Sequence, residues 1–267
     1  MAYFIHDGLS FYYEEHGTGP TLIFSHGLGG SSASTRELVV GLAGIRTILY
    51  DNRFHGLTNP LRDPGKLNFD QMADDMAAVL DHLEMEHSFV GGSSMGAGIA
   101  LVFALRHTAR ARGLVLMRPA WLDRPHPPNL ALFPQIADLI EKFGYAGAGR
   151  EVEKTETFRL WSRTAPATAE SVRSVFLDHN PEALVPLYRT MPSSRPVNSL
   201  ERLRSLSVPT LVLGNRDCPV HPVNIAEELA RNIPNSRLEV FPGRSENLEE
   251  HLSQFRRVVS EFIHGLT

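Results

Sequence analysis

The feature of this sequence that most constrains its fold is the pentapeptide GSSMG at positions 92–96. It follows a short apolar run at 88–91 and precedes a segment, 94–107, that is rich in small and apolar residues. The bare pattern is common, but its position between a strand and a helix predicts a sharp turn that exposes the Ser94 hydroxyl at a helix N-terminus. The alternative is a helix start rich in serine and glycine that carries no chemistry.

Short apolar runs alternate with helical patterns along most of the chain. Strands are predicted over 9–14, 21–24, 47–50, 88–91, 113–117, 210–213 and 238–241, and helices over 32–43, 69–83, 94–107, 222–233 and 248–262. Near-continuous apolar strands are typical of a parallel sheet that is buried on both faces. The predicted fold class is therefore α/β, a mostly parallel sheet with helices on both faces.

One segment departs from this alternation. Ten of the 18 prolines fall between Pro119 and Pro196, where the periodicity is weaker. Prolines end helices and fix turns, so several short helices are expected there. Because strands and helices resume afterwards, we predict a helical cap at 119–196, inserted into a core made of 1–118 and 197–267.

Composition narrows the function classes. The formal net charge is −4 and 42% of the residues are hydrophobic, which argues against a disordered chain and against nucleic acid as a partner. The single cysteine, Cys218, excludes an intramolecular disulfide and a cysteine-based zinc site. No apolar run is long enough to cross a membrane, and the N-terminus does not read as a signal peptide. We expect a cytoplasmic protein with a small-molecule substrate and no membrane partner. The sequence does not decide between a monomer and a homodimer.

A second glycine-rich segment, HGLGG at 26–30, follows the strand at 21–24. It lacks the spacing of phosphate-binding loops. Its Leu28 N–H can point toward the same space as the N–H of Met95, which follows Ser94. Two convergent N–H groups can stabilise the oxyanion that forms when a hydroxyl attacks a carbonyl group.

These motifs, together with DNRFHGLT at 51–58 and GNRD at 214–217, resemble those of the α/β-hydrolase superfamily in its capped form. The resemblance covers nearly the whole chain. It implies a catalytic triad in the chain order Ser, Asp, His, with Ser94 as nucleophile and Asp217 as the acid. It implies no cofactor and no metal.

The histidine of that triad usually stands in a Gly-His pair after the last strand, but this chain has FPGRSENLEE at 241–250. The expected position falls on or next to Ser245. A serine is a poor nucleophile at neutral pH without a base within hydrogen-bond reach, so another histidine must serve if the protein is a serine hydrolase.

Three histidines follow Asp217. His264 is expected to face solvent near the end of the chain. His251 lies on the apolar face of the last helix, either as a core histidine or as a base that reaches the site. His221 follows the acid by four residues between two prolines, and it either lines the site or packs at a helix start. Both His221 and His251 are kept as candidate bases.

Three further residues belong near the predicted pocket. Arg118 ends a strand where the cap begins, so it either pairs with an anionic group of the substrate or anchors the cap through a salt bridge. Trp121 is a candidate substrate contact, although packing in the core of the cap is the simpler interpretation. Nothing in the sequence around Cys218 indicates a basic partner that would lower its pKa.

The leading hypothesis is a cofactor-free serine hydrolase that acts on an ester, lactone or similar activated carbonyl of a small molecule. The missing Gly-His pair supports a second hypothesis, a catalytically impaired protein that binds a ligand on the same fold. The third is a non-hydrolytic lyase or oxygenase that uses a histidine as general base. Fold does not decide among them.

Overall fold

The structure is a computed structural model that describes residues 2–178 and 181–267. Its centre is an eight-stranded sheet in the order β1-β2-β4-β3-β5-β6-β7-β8. The pairs β1–β2 and β2–β4 are antiparallel, and every pair from β4 onward to β8 is parallel. The predicted fold class, a mostly parallel α/β sheet, is confirmed.

The strands and helices alternate in sequence. The strands are β1 (Ala2–His6), β2 (Leu9–His16), β3 (Thr21–Ser25), β4 (Arg46–Tyr50), β5 (Ser88–Ser93), β6 (Ala111–Met117), β7 (Thr210–Asn215) and β8 (Ser236–Phe241). The helices are α1 (Ser32–Val39), α2 (Phe69–His82), α3 (Met95–Arg106), α4 (Leu132–Val152), α5 (Glu156–Thr164), α6 (Pro166–Asp178), α7 (Pro181–Ser193), α8 (Val223–Asn232) and α9 (Leu248–His264).

Both faces of the sheet are covered by apolar side chains. Helices α1 and α9 pack on one face, where Val39 and Phe255 join side chains of the strands. Helices α2, α3 and α8 pack on the other, in a cluster that continues into the helices between β6 and β7. Burial on both faces is the reason that the parallel strands are apolar throughout.

Two details of the sequence prediction differ in outcome. The Asn68 side chain accepts a hydrogen bond from the N–H of Gln71 at 2.9 Å and so caps α2, the helix that the sequence predicts over 69–83. Strand β1 was not predicted. It lies at the edge of the sheet, where Phe4 joins the core but the apolar side chains of Tyr3 and Ile5 are exposed. Its sequence therefore lacks the alternation of apolar and polar residues that marks a half-buried strand.

Helices α4 to α7 occupy the predicted insertion between β6 and β7. Helix α4 packs against α7 and α6, and α5 packs against α6. The predicted range 119–196 contains residues 179 and 180, which lie outside the described residues, and its status as a separate cap stays a prediction. Among the described residues, no helix combines the length and the apolar character needed to cross a membrane.

Candidate active site

The turn between β5 and α3 holds Ser94 in a strained backbone conformation. Ser94 is the N-cap of α3, with φ 59° and ψ −114°. Its own N–H donates to the carbonyl of Met117 at 2.9 Å, which ties the turn to the end of β6. A non-glycine residue at such angles persists only where the surrounding structure fixes it, and such residues cluster at functional sites.

Two glycines make this turn possible. A Cβ atom at Gly92 would overlap the backbone of Gly96, and a Cβ at Gly96 would overlap the carbonyl of Ser25. The start of α3 therefore lies directly against β5 and β3. This contact explains the two glycine positions of the pentapeptide, and it presents Ser94 above the end of the sheet.

The glycine-rich loop after β3 lies against Ser94. A Cβ at Gly27 would lie 3.4 Å from the Ser94 Cβ and 3.9 Å from its Oγ. Among the described residues, the N–H groups of Leu28 and Met95 have no hydrogen-bond acceptor. Both predicted oxyanion donors are thus unpaired on either side of the serine.

The segment after β4 supports this loop. His26 Nε2 lies 3.0 Å from the backbone N of Asn52, and Gly29 N–H donates to His55 Nε2 at 3.2 Å. Arg53 is fully buried and forms a bidentate pair with Asp75, both distances being 2.6 Å. The side chains of His26, Arg53 and His55 support the backbone around the site, although these three residues do not line the cavity next to Ser94.

Ser94 opens into a cavity of about 870 Å³ between the sheet and helices α4, α6 and α7. The cavity brings together most of the predicted site residues. Those that line it are Leu28, Ser94, Arg118, Trp121, Asp217 and His221. His251 and His264 are not among the lining residues, and Met95 contributes to the site through its backbone N–H.

His221 and Cys218 form a pair in this cavity. The turn after β7 closes with a hydrogen bond from His221 N–H to the Cys218 carbonyl at 3.1 Å, and this places the two side chains side by side. Cys218 Sγ lies 3.1 Å from His221 Nδ1. The other ring nitrogen, Nε2, is buried and has no partner among the described residues.

The sequence-based view of Cys218 was wrong. Burial alone raises the pKa of the Cys218 thiol, but the His221 ring and the Arg118 guanidinium outweigh it and lower the pKa to about 6. Thr168 Oγ1, 3.6 Å from Sγ, adds a weak hydrogen bond. The spacing of three residues between Cys218 and His221 is the signal in the sequence that could have indicated this pair.

The other two histidines are held elsewhere. His251 is 1% exposed on α9, and its Nδ1 lies 3.0 Å from the Pro242 carbonyl oxygen. Burial lowers its pKa to about 4, so His251 is neutral at pH 7. His264 is the last residue of α9, exposed, and close to the carbonyl of Ala43. In the described residues, no histidine is hydrogen-bonded to Ser94.

Asp217 follows β7, where the fold places the acid, with φ 58°. Its side chain is exposed at the cavity wall and makes no hydrogen bond or ion pair within the described residues. Ser245, at the position expected for the family histidine, also lines the cavity, and its Oγ accepts the Ala167 N–H at 3.0 Å.

Arg118 brings a buried positive charge to the cavity. Its Nη2 donates to Ser93 Oγ at 3.2 Å, and its Nε is buried without a partner. Burial, with a smaller contribution from Arg244, lowers its pKa to about 10 against the opposing effect of Cys218. No carboxylate pairs with Arg118 among the described residues, so the salt bridge considered for it is not formed there.

Trp121 is 2% exposed, and its Nε1 donates to the Met191 carbonyl at 3.3 Å. It is one of the residues that line the cavity, and its ring packs against Phe69.

The described residues provide no candidate metal site. Across residues 2–178 and 181–267, no group of three or more His, Cys, Asp or Glu side chains is arranged to hold a metal ion.

Comparison with known proteins agrees with this geometry. The family model described as alpha/beta hydrolase fold matches residues 20–248. The chain belongs to the α/β-hydrolase family. The match includes the loop after β3, the Ser94 turn and the loop after β7, all of which line the cavity.

Individual relatives of this α/β hydrolase span nearly its full length. A non-heme chloroperoxidase of Kitasatospora aureofaciens is 27% identical, covering 97% of each chain. A 2-hydroxymuconate semialdehyde hydrolase of a Pseudomonas species is 27% identical and covers 93% of this chain and 88% of its own. A solved esterase from Thermogutta terrifontis has a TM-score of 0.76 at 26% identity, covering 97% of each chain. These similarities support general hydrolase chemistry.

The Cys218–His221 pair predicts an unusual pH dependence of thiol alkylation. In the folded protein, iodoacetamide should react with Cys218 with a rate midpoint near pH 6, because the thiolate is already formed there. His221→Ala removes the adjacent ring and should move the midpoint upward. Since Cys218 is the only cysteine, the mass increase of the intact chain measures the reaction directly.

The denatured chain is the control, and its midpoint should lie near the ordinary value of about 8.5. A midpoint near that value in the folded protein as well would contradict the pairing of Cys218 with His221.

Proposed function

We propose that this protein is a cofactor-free serine hydrolase that acts on an ester, a lactone or a similar activated carbonyl of a small molecule. The observation that carries the proposal is the conformation of Ser94: a strained residue at the start of α3, open to a large cavity, between two unpaired N–H groups. Backbone strain of this kind persists where function requires it.

In the proposed reaction, Ser94 Oγ attacks the carbonyl carbon, and its proton passes to a histidine. The carbonyl oxygen becomes an oxyanion that accepts hydrogen bonds from the Leu28 and Met95 N–H groups. The leaving group takes up the proton from the histidine and departs, which leaves an acyl-serine. Water then attacks the acyl-serine by the same steps and releases the acid.

His221 is the base that the geometry favours. It lines the cavity together with Ser94, and its buried Nε2 has no partner, whereas His251 lies outside the lining. Cys218 fixes the ring through Nδ1. The Nε2 nitrogen is therefore the one left to accept a proton. Asp217 keeps its predicted role as the acid and lies at the wall of the same cavity.

The proposed substrate carries a carboxylate or another anionic group. Arg118 is the support for this, since it lines the cavity with no carboxylate partner among the described residues. A buried guanidinium that no carboxylate pairs keeps hydrogen-bond donors free, and a bound anion would accept from them. The related esterase from Thermogutta terrifontis was solved with malate, a dicarboxylate, bound.

The test of this proposal is labelling by a neutral fluorophosphonate, which reacts with activated serines. The wild-type protein should be labelled at Ser94, and Ser94→Ala should not be labelled. His221→Ala should slow labelling by about 10²- to 10⁴-fold, the usual contribution of a general base. Peptide mass spectrometry identifies the modified residue.

His264→Ala is the matched control, because that histidine is exposed and far along α9, and labelling should proceed at the wild-type rate. Loss of labelling in His251→Gln but not in His221→Ala would assign the base to His251 instead. No labelling of the folded wild type would contradict the serine-hydrolase proposal and favour the ligand-binding hypothesis. Turnover that survives Ser94→Ala but not His221→Ala would favour the non-hydrolytic enzyme.

The substrate charge is tested with two nitrophenyl esters of similar size, the monoester of succinate, which has a free carboxylate, and the ester of butyrate. Wild type should prefer the succinate ester in kcat/KM. Arg118→Met should reduce this preference by about 10- to 100-fold, the value of a charge-assisted hydrogen bond. Arg124→Met, which changes an exposed arginine outside the cavity, should leave it intact. An unchanged preference in Arg118→Met would contradict the assignment.

A further inference from the structure

Tyr188, on helix α7, carries a polar group that the fold does not satisfy. The residue is 0% exposed, and its ring packs edge-on against Phe133 with the centroids 5.1 Å apart. Its hydroxyl is buried without a hydrogen-bond partner among the described residues, and the residue is one of those that line the cavity next to Ser94. Buried hydroxyl groups are nearly always paired, so this exception needs an explanation.

The hydroxyl lies beside the oxyanion loop. A Cβ atom at Gly29 would be 2.6 Å from the Tyr188 Oη, and a Cβ at Gly27 would be 3.9 Å from the Ser94 Oγ. The two glycines are separated by Leu28 alone, and two residues of chain span at most about 7 Å. The phenol and the serine therefore approach the same short loop, whose Leu28 N–H is unpaired among the described residues.

The protonation state of the Tyr188 hydroxyl suits a hydrogen-bond donor. Burial raises the pKa of the Tyr188 phenol, so the O–H is protonated at neutral pH. Packing alone does not require the hydroxyl, since a phenylalanine would fill the same apolar space. A second tyrosine of the inserted helices provides a contrast: Tyr145 donates its O–H to the Val175 carbonyl at 2.6 Å and lies outside the cavity lining.

We propose that the Tyr188 hydroxyl is a third oxyanion donor, supplied by helix α7 to the carbonyl oxygen held by the Leu28 and Met95 N–H groups. This inference rests on the proposed serine-hydrolase function. As Ser94 Oγ bonds to the carbonyl carbon, the electron pair of the C=O π bond moves to oxygen. Tyr188 donates a hydrogen bond to that oxygen and keeps its proton, while the serine proton goes to the histidine.

The role also links the inserted helices to catalysis. The other two donors directly follow β3 and β5 of the sheet, whereas Tyr188 belongs to α7, one of the inserted helices. The oxyanion position is therefore complete only when α7 is packed in place, and a substrate that displaces this helix would lose one of three donors.

The test is Tyr188→Phe, which removes only the oxygen atom. The rate constant for labelling of Ser94 by the fluorophosphonate, whose P–O oxygen occupies the oxyanion position, should fall by about 10- to 100-fold. With a nitrophenyl ester, kcat should fall by a similar factor and KM should change little. The Tm should stay level or rise, because an unpaired buried hydroxyl has been removed.

Tyr145→Phe is the matched control. It breaks a hydrogen bond to the backbone, so its Tm should fall by about 2–4 °C while the labelling rate stays at the wild-type value. The opposite responses of the two variants separate a role in catalysis from a role in stability.

A Tyr188→Phe variant that labels as fast as the wild type overturns this inference and leaves the proposed function standing. A variant that loses labelling only in parallel with a fall in Tm overturns it as well, because the hydroxyl would then be structural. Absence of labelling in the wild type would instead overturn the proposed function and this inference together.

Discussion

The close packing of the start of α3 against the ends of β3 and β5 is the constraint on which the rest of the site depends. It forces Ser94 into a backbone conformation that a residue with a side chain seldom adopts, and it is sterically possible only with glycine at 92 and 96. The hydrogen bond from Ser94 N–H to β6 closes the arrangement. The hydroxyl is thereby fixed by the core of the sheet and not by a mobile loop, which is what a preorganised nucleophile requires.

Around this fixed point, the reactive groups come from separate parts of the chain. The loop after β3 contributes the unpaired Leu28 N–H, and the start of α3 contributes the unpaired Met95 N–H. The end of β6 contributes Arg118, and the turn after β7 contributes Cys218 and His221. Parallel strands bring these segments to one edge of the sheet, as in other open α/β folds. Helix α7 adds Tyr188 to the lining of the cavity. The cavity contains a histidine held through Cys218, whereas the Gly-His pair expected after the last strand is absent from the sequence.

Much of the fold could be predicted from sequence because its strands are apolar on both faces and its turns carry specific residues. Asn68 and the pentapeptide at 92–96 are local signals, and local signals transfer directly to structure. Strand β1 was missed because Tyr3 and Ile5 are apolar although exposed, so its one buried core residue, Phe4, does not stand out in the sequence. The Cys218–His221 pair and the unpaired Tyr188 hydroxyl were missed for a different reason. Both depend on tertiary packing, and the sequence cannot say which polar group a fold leaves without a partner.

The most direct measurement is a crystal structure of the protein after reaction with a fluorophosphonate. The account predicts phosphorus bonded to Ser94 Oγ, with the phosphonyl oxygen within about 3.2 Å of the Leu28 and Met95 nitrogen atoms and His221 Nε2 facing the adduct. A phosphonyl group attached to another residue, or an oxygen that points away from both N–H groups, would contradict the central claim that this turn presents a catalytic serine.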